Sequence, residues 1–238
     1  MTSTEILPEL QTSPLYWEPM AEQRWGKYIS EVELSLILQA HEVAGQPTTA
    51  LEIGAEGGRW AKILADLGWD MICTDIAPEV LEVCQKRIPN AKCVLVDRDS
   101  ISFPCETESA RLLLAIEVHE LVEQDWFIDE ACRVLESGGL FVGVFQNTRS
   151  WRALIRNLKR DPPGSITHYT ASYAPWRRKL SKRGIRMIRE VGLCWMPFGR
   201  KSDSRLIPPA VTVERILGLR KLPSLSPWVV FVAQKDFV

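Results

Sequence analysis

From about residue 49 to residue 146, short apolar runs alternate with stretches whose apolar residues recur every three or four positions. The runs fall at 49–53, 71–74, 93–96, 112–116 and 140–145. Each is apolar on both faces and stops at a turn or polar cluster, as central parallel strands covered on both sides do. Between them, Trp60, Ile63, Leu64 and Leu67 share one helical face, and Pro78 opens a helix that runs to Arg87. A third helix, 126–135, ends at the stop Ser137-Gly138-Gly139. The order β-α-β-α-β-α-β-α-β, five strands and four helices, predicts a doubly wound α/β sheet.

The flanks read differently. Residues 1–45 hold Tyr16, Trp17, Trp25 and Tyr28, then a helix predicted over 30–43. After residue 146 comes a basic amphipathic helix, 149–160, with Trp151, Leu154, Ile155 and Leu158 on one side. Asp161-Pro162-Pro163-Gly164 breaks it. A second basic helix is predicted over 174–183, strands over 185–196 and 228–233, and a helical stretch over 210–219. The expected division is an N-terminal helical extension, 1–45, and one domain, 46–238, with an insertion at about 149–184.

The 238 residues are enough for one sizeable core. Net charge is only −1, but it is unevenly spread. Residues 1–140 carry 25 acids and 10 bases (−15), and residues 141–238 carry 5 acids and 19 bases (+14). Either the halves neutralise each other on packing, the favoured reading, or the second half offers a basic surface to an anionic partner. Six cysteines show no CxxC spacing and no histidine pair stands at zinc-ligand spacing, so no metal site is expected and the thiols read as reduced and buried. No secretory leader or membrane-spanning run is legible, so a cytoplasmic location is expected, with peripheral membrane contact left open.

The chemistry gathers at strand ends. Leu51-Glu52-Ile53-Gly54-Ala55-Glu56-Gly57-Gly58 closes the first strand and opens a helix, and its glycines allow a sharp turn and close backbone approach to a ligand. Asp75, 23 positions after Glu52, ends the second strand, where a carboxylate can accept both hydroxyls of a ribose. Asp97 ends the third. In a doubly wound sheet these ends line one crevice.

With these motifs in place, the chain resembles class I S-adenosylmethionine-dependent methyltransferases, nearest the type-11 small-molecule group. The resemblance covers about 48–147, and more weakly 228–235. Glu52 and the glycine loop, Asp75, and Asp97-Arg98-Asp99-Ser100-Ile101-Ser102-Phe103 match the family's first three strand-end motifs. Ala115-Ile116-Glu117-Val118-His119 resembles its fourth-strand motif, and Arg133-Val134-Leu135-Glu136-Ser137-Gly138-Gly139 the turn before the fifth. The resemblance implies a Rossmann-like, mostly parallel seven-stranded sheet with the last strand antiparallel. It implies S-adenosyl-L-methionine as cofactor, held by Glu52, Gly54, Gly57, Gly58, Asp75, Ile76, Asp97, Arg98 and Glu117. It also implies an N-terminal cover carrying Trp25 and Tyr28, and a lid after the fifth strand. The loop departs from the family pattern at Glu56, where a middle glycine is usual; a carboxylate there would repel the methionine carboxylate unless turned to solvent.

His119 lies where the family's fourth strand faces the transferred methyl, so it is the candidate general base; the competing reading is a structural histidine. His41 is expected to be structural, and His168 falls near the lid. The expected acceptor is a small molecule, acidic or amphiphilic if the basic segment lies over it. No motif for nucleic acid follows the fourth strand. The alternatives are a non-catalytic protein that binds S-adenosylmethionine and an NAD-dependent oxidoreductase; against the latter, the loop lacks the G-x-G-x-x-G order.

Overall fold

A computed structural model describes residues 15–158 and 170–237, without the side chains of His119 and residues 156–158. Two helices, α1 (Trp17–Glu22) and α2 (Arg24–Ala44), precede the alternating unit. That unit runs β1 (Thr49–Ile53), α3 (Arg59–Asp66), β2 (Asp70–Asp75), α4 (Pro78–Arg87), β3 (Lys92–Leu95), β4 (Ala110–Ala115), α5 (His119–Val122), α6 (Asp125–Val134) and β5 (Leu135–Gln146). Then follow α7 (Trp151–Leu158), α8 (Tyr173–Lys182), β6 (Ile185–Leu193), α9 (Ile207–Ile216) and β7 (Trp228–Lys235).

The seven strands lie in the order β3-β2-β1-β4-β5-β7-β6. The first five pair in parallel, and β7 inserts antiparallel between β5 and β6, from Leu140↔Gln234 to Gln146↔Trp228. Strand alternation sorts the core into two layers. Leu112, Leu114, Val142, Val230 and Val232 face α2, α3 and α4 together with Ile37, Leu64 and Cys84. Leu113, Phe141, Phe145, Val229 and Phe231 face α6 and α8 with Phe127, Ile128, Tyr173 and Trp176. The order reverses between β1 and β4, which opens a crevice at their carboxyl ends.

Five expectations are corrected in detail. Strict alternation called for a helix between the third and fourth strands, but β3 is followed by β4 with no helix between, the chain instead turning through Asp97 to Ser109. The first long helix begins at Arg24 rather than residue 30, because Trp25, Tyr28 and Ile29 continue its buried stripe. Residues 135–139 fall within β5 instead of forming a stop before it: Leu135 pairs with Ala110, residues 136–139 bulge, and pairing resumes at Leu112↔Leu140. The helix expected from 149 begins at Trp151, because the buried Ser150 hydroxyl accepts the Ala153 amide (3.2 Å) as a cap does; its residues 159–160 lie outside the described chain. On α7 it is Ala153 that is buried, while Leu154 and Ile155 are exposed.

The basic second half is met by acids. Lys179 reaches Asp125 (3.1 Å), Arg183 pairs with Asp129 and reaches Asp125, Arg177 reaches Glu190 (3.4 Å), and Arg186 pairs with Asp236. Arg152 spends its guanidinium on the carbonyls of Cys194 and Phe198 (both 2.8 Å) and Met196. His41 accepts the Trp69 indole N–H (3.1 Å), a packing contact. Among the described residues no helix is long and apolar enough to cross a membrane.

Candidate active site

The turn after β1 is built on positive φ. Gly54 (φ 68) lies against the turn that follows β4: a Cβ there would come within 2.4 Å of a Val118 methyl. Gly58 (φ 74) opens α3, where a Cβ would meet the Cys84 sulfur at 2.7 Å. Between them Glu56 also holds φ 48, uncommon without glycine. Its amide donates to Asp75 Oδ2 (3.0 Å), and Ala77 N–H donates to Oδ1 (3.1 Å). Loop and second-strand carboxylate are therefore fixed to each other by backbone donors.

The Glu56 side chain, half-buried at the wall of the crevice, is held by backbone donors. Its Oε1 accepts the backbone N–H groups of Tyr16 and of Trp17 (2.9 Å), at the start of α1. A carboxylate suits the positive end of a helix, so the residue that departs from the family pattern anchors the N-terminal helices onto the loop.

Beneath them lies a cleft of about 360 Å³. Gly54, Asp75, Ile76, Val96, Glu117, Val118 and Leu121 line it, with Tyr16 and Trp17 across the opening. A second, water-sized space of about 20 Å³ joins Glu52, Gly54, Arg59 and Glu117 behind Trp17.

Three buried carboxyls share the charge of Arg59. Glu52 is 3% exposed, its Oε2 meets no hydrogen-bond donor, and burial pushes its pKa up to about 8 against partial compensation by the Ala61 amide and Arg59. Glu117 ends the turn after β4 with φ 61; burial raises it to about 8, with Arg200 at 3.9 Å and Arg59 opposing. Glu33, on α2, is raised by burial to about 7 with Arg59 at 3.6 Å. Arg59 also donates to Ser30 Oγ (2.8 Å) and lies over the Trp60 ring. Arg200 sits between the rings of Trp17 (5.2 Å) and Trp228 (5.0 Å).

Of the residues singled out from sequence, Gly54, Asp75, Ile76 and Glu117 meet at the cleft, and Glu52 closes its inner end. Gly57 and Gly58 form the rear of the loop, packed on Leu15 and Cys84. Asp97 and Arg98 lie exposed past β3; Asp97 Oδ1 accepts the Asp99 amide (2.8 Å), and Val96 lines the cleft in their place. His119 begins α5 one residue beyond the cleft wall; its side chain, like His168, lies outside what is described. Glu33, Arg59 and Arg200 were not foreseen. Glu33 had a signal: it shares a helical face with Ile29, Leu36 and Ile37, where a carboxylate is out of place.

A glycine turn and a carboxylate on adjacent strand ends at a topological switch form the nucleoside-binding arrangement of doubly wound sheets. Comparison narrows it. Residues 51–143 match the methyltransferase domain family. A methyltransferase-like protein of Schizosaccharomyces pombe, itself uncharacterized, is 26% identical over 63% of this chain and 57% of its own length. An uncharacterized methyltransferase of Mycobacterium tuberculosis is 30% identical over 43% of this chain and 41% of its own. The chain thus spans about half the length of the curated relatives it matches. Among solved structures, geranyl diphosphate C-methyltransferase of Streptomyces coelicolor, in complex with S-adenosyl-L-homocysteine, superposes with a TM-score of 0.60 at 14% identity, over 87% of this chain and 80% of that one. A putative sarcosine dimethylglycine methyltransferase of Galdieria sulphuraria gives 0.59 at 16%, over 94% and 91%. Residues 51–143 are thus similar to a methyltransferase domain, on a fold shared with solved S-adenosylmethionine-dependent methyltransferases.

Proposed function

We propose that the protein transfers a methyl group from S-adenosyl-L-methionine to an oxygen, nitrogen or carbon nucleophile of a small molecule. The observation that carries this is the meeting of Gly54, Asp75 and Glu117 in one cleft, with Glu52 at its inner end. The residues fit the cofactor: Glu52 Oε2 is a buried acceptor without a donor, and the cofactor brings an ammonium. When bound, the cofactor supplies a methyl already activated by its sulfonium, so the protein's task is alignment.

In this reading Asp75 accepts the ribose hydroxyls, its carboxylate pre-aimed by the Glu56 and Ala77 amides. Glu52 and Glu117 hold the ammonium end, and Gly54, Gly57 and Gly58 let the backbone approach it. Ile76 offers the adenine an apolar face, with Asp97 and Arg98 at the rim. Tyr16 and Trp17 of the extension cover the cofactor in place of the expected Trp25 and Tyr28, which are buried against Trp228 and Glu214, and the acceptor is expected to meet the insertion after β5. A small acceptor is supported by the names of the solved relatives, which refer to geranyl diphosphate, sarcosine and dimethylglycine.

His119 is the proposed base, one residue past Val118. Glu117 is a second reading, favoured by its place on the cleft wall; burial raises it to about 8, so only its ionised form would accept the proton and the role would strengthen with rising pH. Calorimetry with S-adenosylmethionine, followed by an acceptor screen that reads S-adenosylhomocysteine, tests the function. Losing a charged acceptor for ribose should weaken binding in Asp75→Ala by about 1.5–3 kcal/mol. Unchanged affinity in the folded variant would overturn the assignment, and cofactor binding with no acceptor turned over would favour a binding protein.

A further inference from the structure

The helix α9 has two sides of opposite fate. Its inner side is fixed to α2: Ile207 and Glu214 are buried, and Glu214 accepts the Tyr28 hydroxyl (2.7 and 2.9 Å) and Arg220 Nε (3.0 Å). Its outer side is apolar and bare. Leu206 (67% exposed), Val213 (45%) and Leu217 (63%) stand seven and then four residues apart, which places them on one helical face, and Ile216 (78%) flanks them. Leu222 and Leu225 prolong the exposed apolar surface beyond the helix. No other described segment exposes so many large apolar side chains in so short a stretch.

Charge says what covers this surface. Between Asp203 and Asp236 the only acid is Glu214, buried and engaged. The exposed cations Arg205, Arg215 and Lys221 make no ion pair among the described residues, whereas Arg177 and Lys179 of α8 do. An apolar ridge bordered by unpaired cations matches a layer that is anionic at its surface and apolar beneath. A second copy docked symmetrically on the same ridge would set these cations against each other.

We propose that α9 and the segment to Leu225 dock the protein on an anionic lipid surface, with Leu206, Val213, Ile216 and Leu217 entering the interface and Arg205, Arg215 and Lys221 holding the headgroups. The docking face connects to the cleft through one loop. In that loop Ser202 O accepts the Trp25 amide (3.2 Å), Asp203 pairs with Arg24 (2.5 Å), and Arg200 reaches Glu117. This docking is independent of which acceptor is methylated.

The test is co-sedimentation of the full chain with phosphatidylcholine vesicles, with and without phosphatidylglycerol, at low and high salt. Binding is expected only with the anionic vesicles, and it should fade as salt rises. Arg205→Gln/Arg215→Gln/Lys221→Gln should weaken it roughly 100-fold, at about 1 kcal/mol per cation. Ile216→Asp/Leu217→Asp should abolish it. Both variants change exposed residues, so unchanged S-adenosylmethionine titrations and melting curves establish that they remain folded. Absence of sedimentation with anionic vesicles, equal sedimentation with neutral ones, or full binding by Ile216→Asp/Leu217→Asp would each overturn the proposal. So would a wild-type dimer in sedimentation velocity that the same variant makes monomeric, since a second copy would then occupy the ridge.

Discussion

Glu52 gives the sharpest quantitative expectation. Its carboxyl is buried, one oxygen has no donor, and its pKa stands near 8, so at neutral pH it carries a proton. If it receives the cofactor's ammonium, that proton must leave on binding. At pH 7 a group of pKa 8 is roughly 90% protonated, so binding should release about 0.9 proton. Affinity should then strengthen with pH, because only the ionised fraction binds: that fraction rises roughly 25-fold between pH 6 and pH 7.5, equivalent to about 2 kcal/mol. Toward the upper end of that window the cofactor's own amino group, taken at the ordinary α-amino pKa of about 7.7–8.0, begins to titrate and trims the gain. Calorimetry in two buffers of different ionisation enthalpy reads the released proton, and Kd against pH reads the slope. Glu52→Gln should remove most of both. Glu117 and Glu33 titrate in the same range, so the slope left in that variant measures them. A wild-type Kd that stays flat from pH 6 to 7.5, with enthalpy independent of buffer, would refute the reasoning.

The same groups set a pH dependence of stability. A carboxyl whose folded pKa is raised binds more protons folded than unfolded, so between about pH 4.5 and 8 stability falls as pH rises. Melting temperature should therefore drop from pH 5.5 to 8.5, and Glu52→Gln should gain stability at the upper end alone; a gain at both ends would contradict this. Removing the helix anchor in Glu56→Ala should cost about 0.5–2 kcal/mol, read as a loss of a few degrees in melting temperature and greater protease access to residues 15–23. Once an acceptor is known, His119→Ala should lower kcat by about 100-fold without changing cofactor affinity, and near-normal turnover would transfer the role to Glu117.

The central strands were legible because Leu112 to Leu114 and Val142 to Val144 must satisfy cores on both faces, and few non-strand segments are apolar at every position. Asp75 was legible for a related reason: a carboxylate ending such a run has one direction to point. The early start of α2 was hidden because tryptophan and tyrosine signal packing without fixing a period. Glu56 was visible as an anomaly, yet its partners lie 39 and 40 residues earlier in the chain, and only tertiary contact could show where it points. Arg200 sits in a polar loop whose spacing carries no signal, and it acquires meaning only from Trp17, Trp228 and Glu117 around it. The bare side of α9 escaped notice because an outward apolar stripe and an inward one look alike in sequence.

In Glu56 the backbone and the side chain serve two different masters. The amide holds Asp75 while the carboxylate holds the first turn of α1. A ligand that requires Asp75 in its present orientation thereby favours the docked N-terminal helix, and undocking that helix releases a negative charge beside the loop. By reciprocity the two events share a single coupling free energy. Truncating the chain before Arg24 should loosen the ligand by the same factor by which the ligand protects α1, so a helix outside the matched domain becomes a control on the occupancy of the pocket inside it.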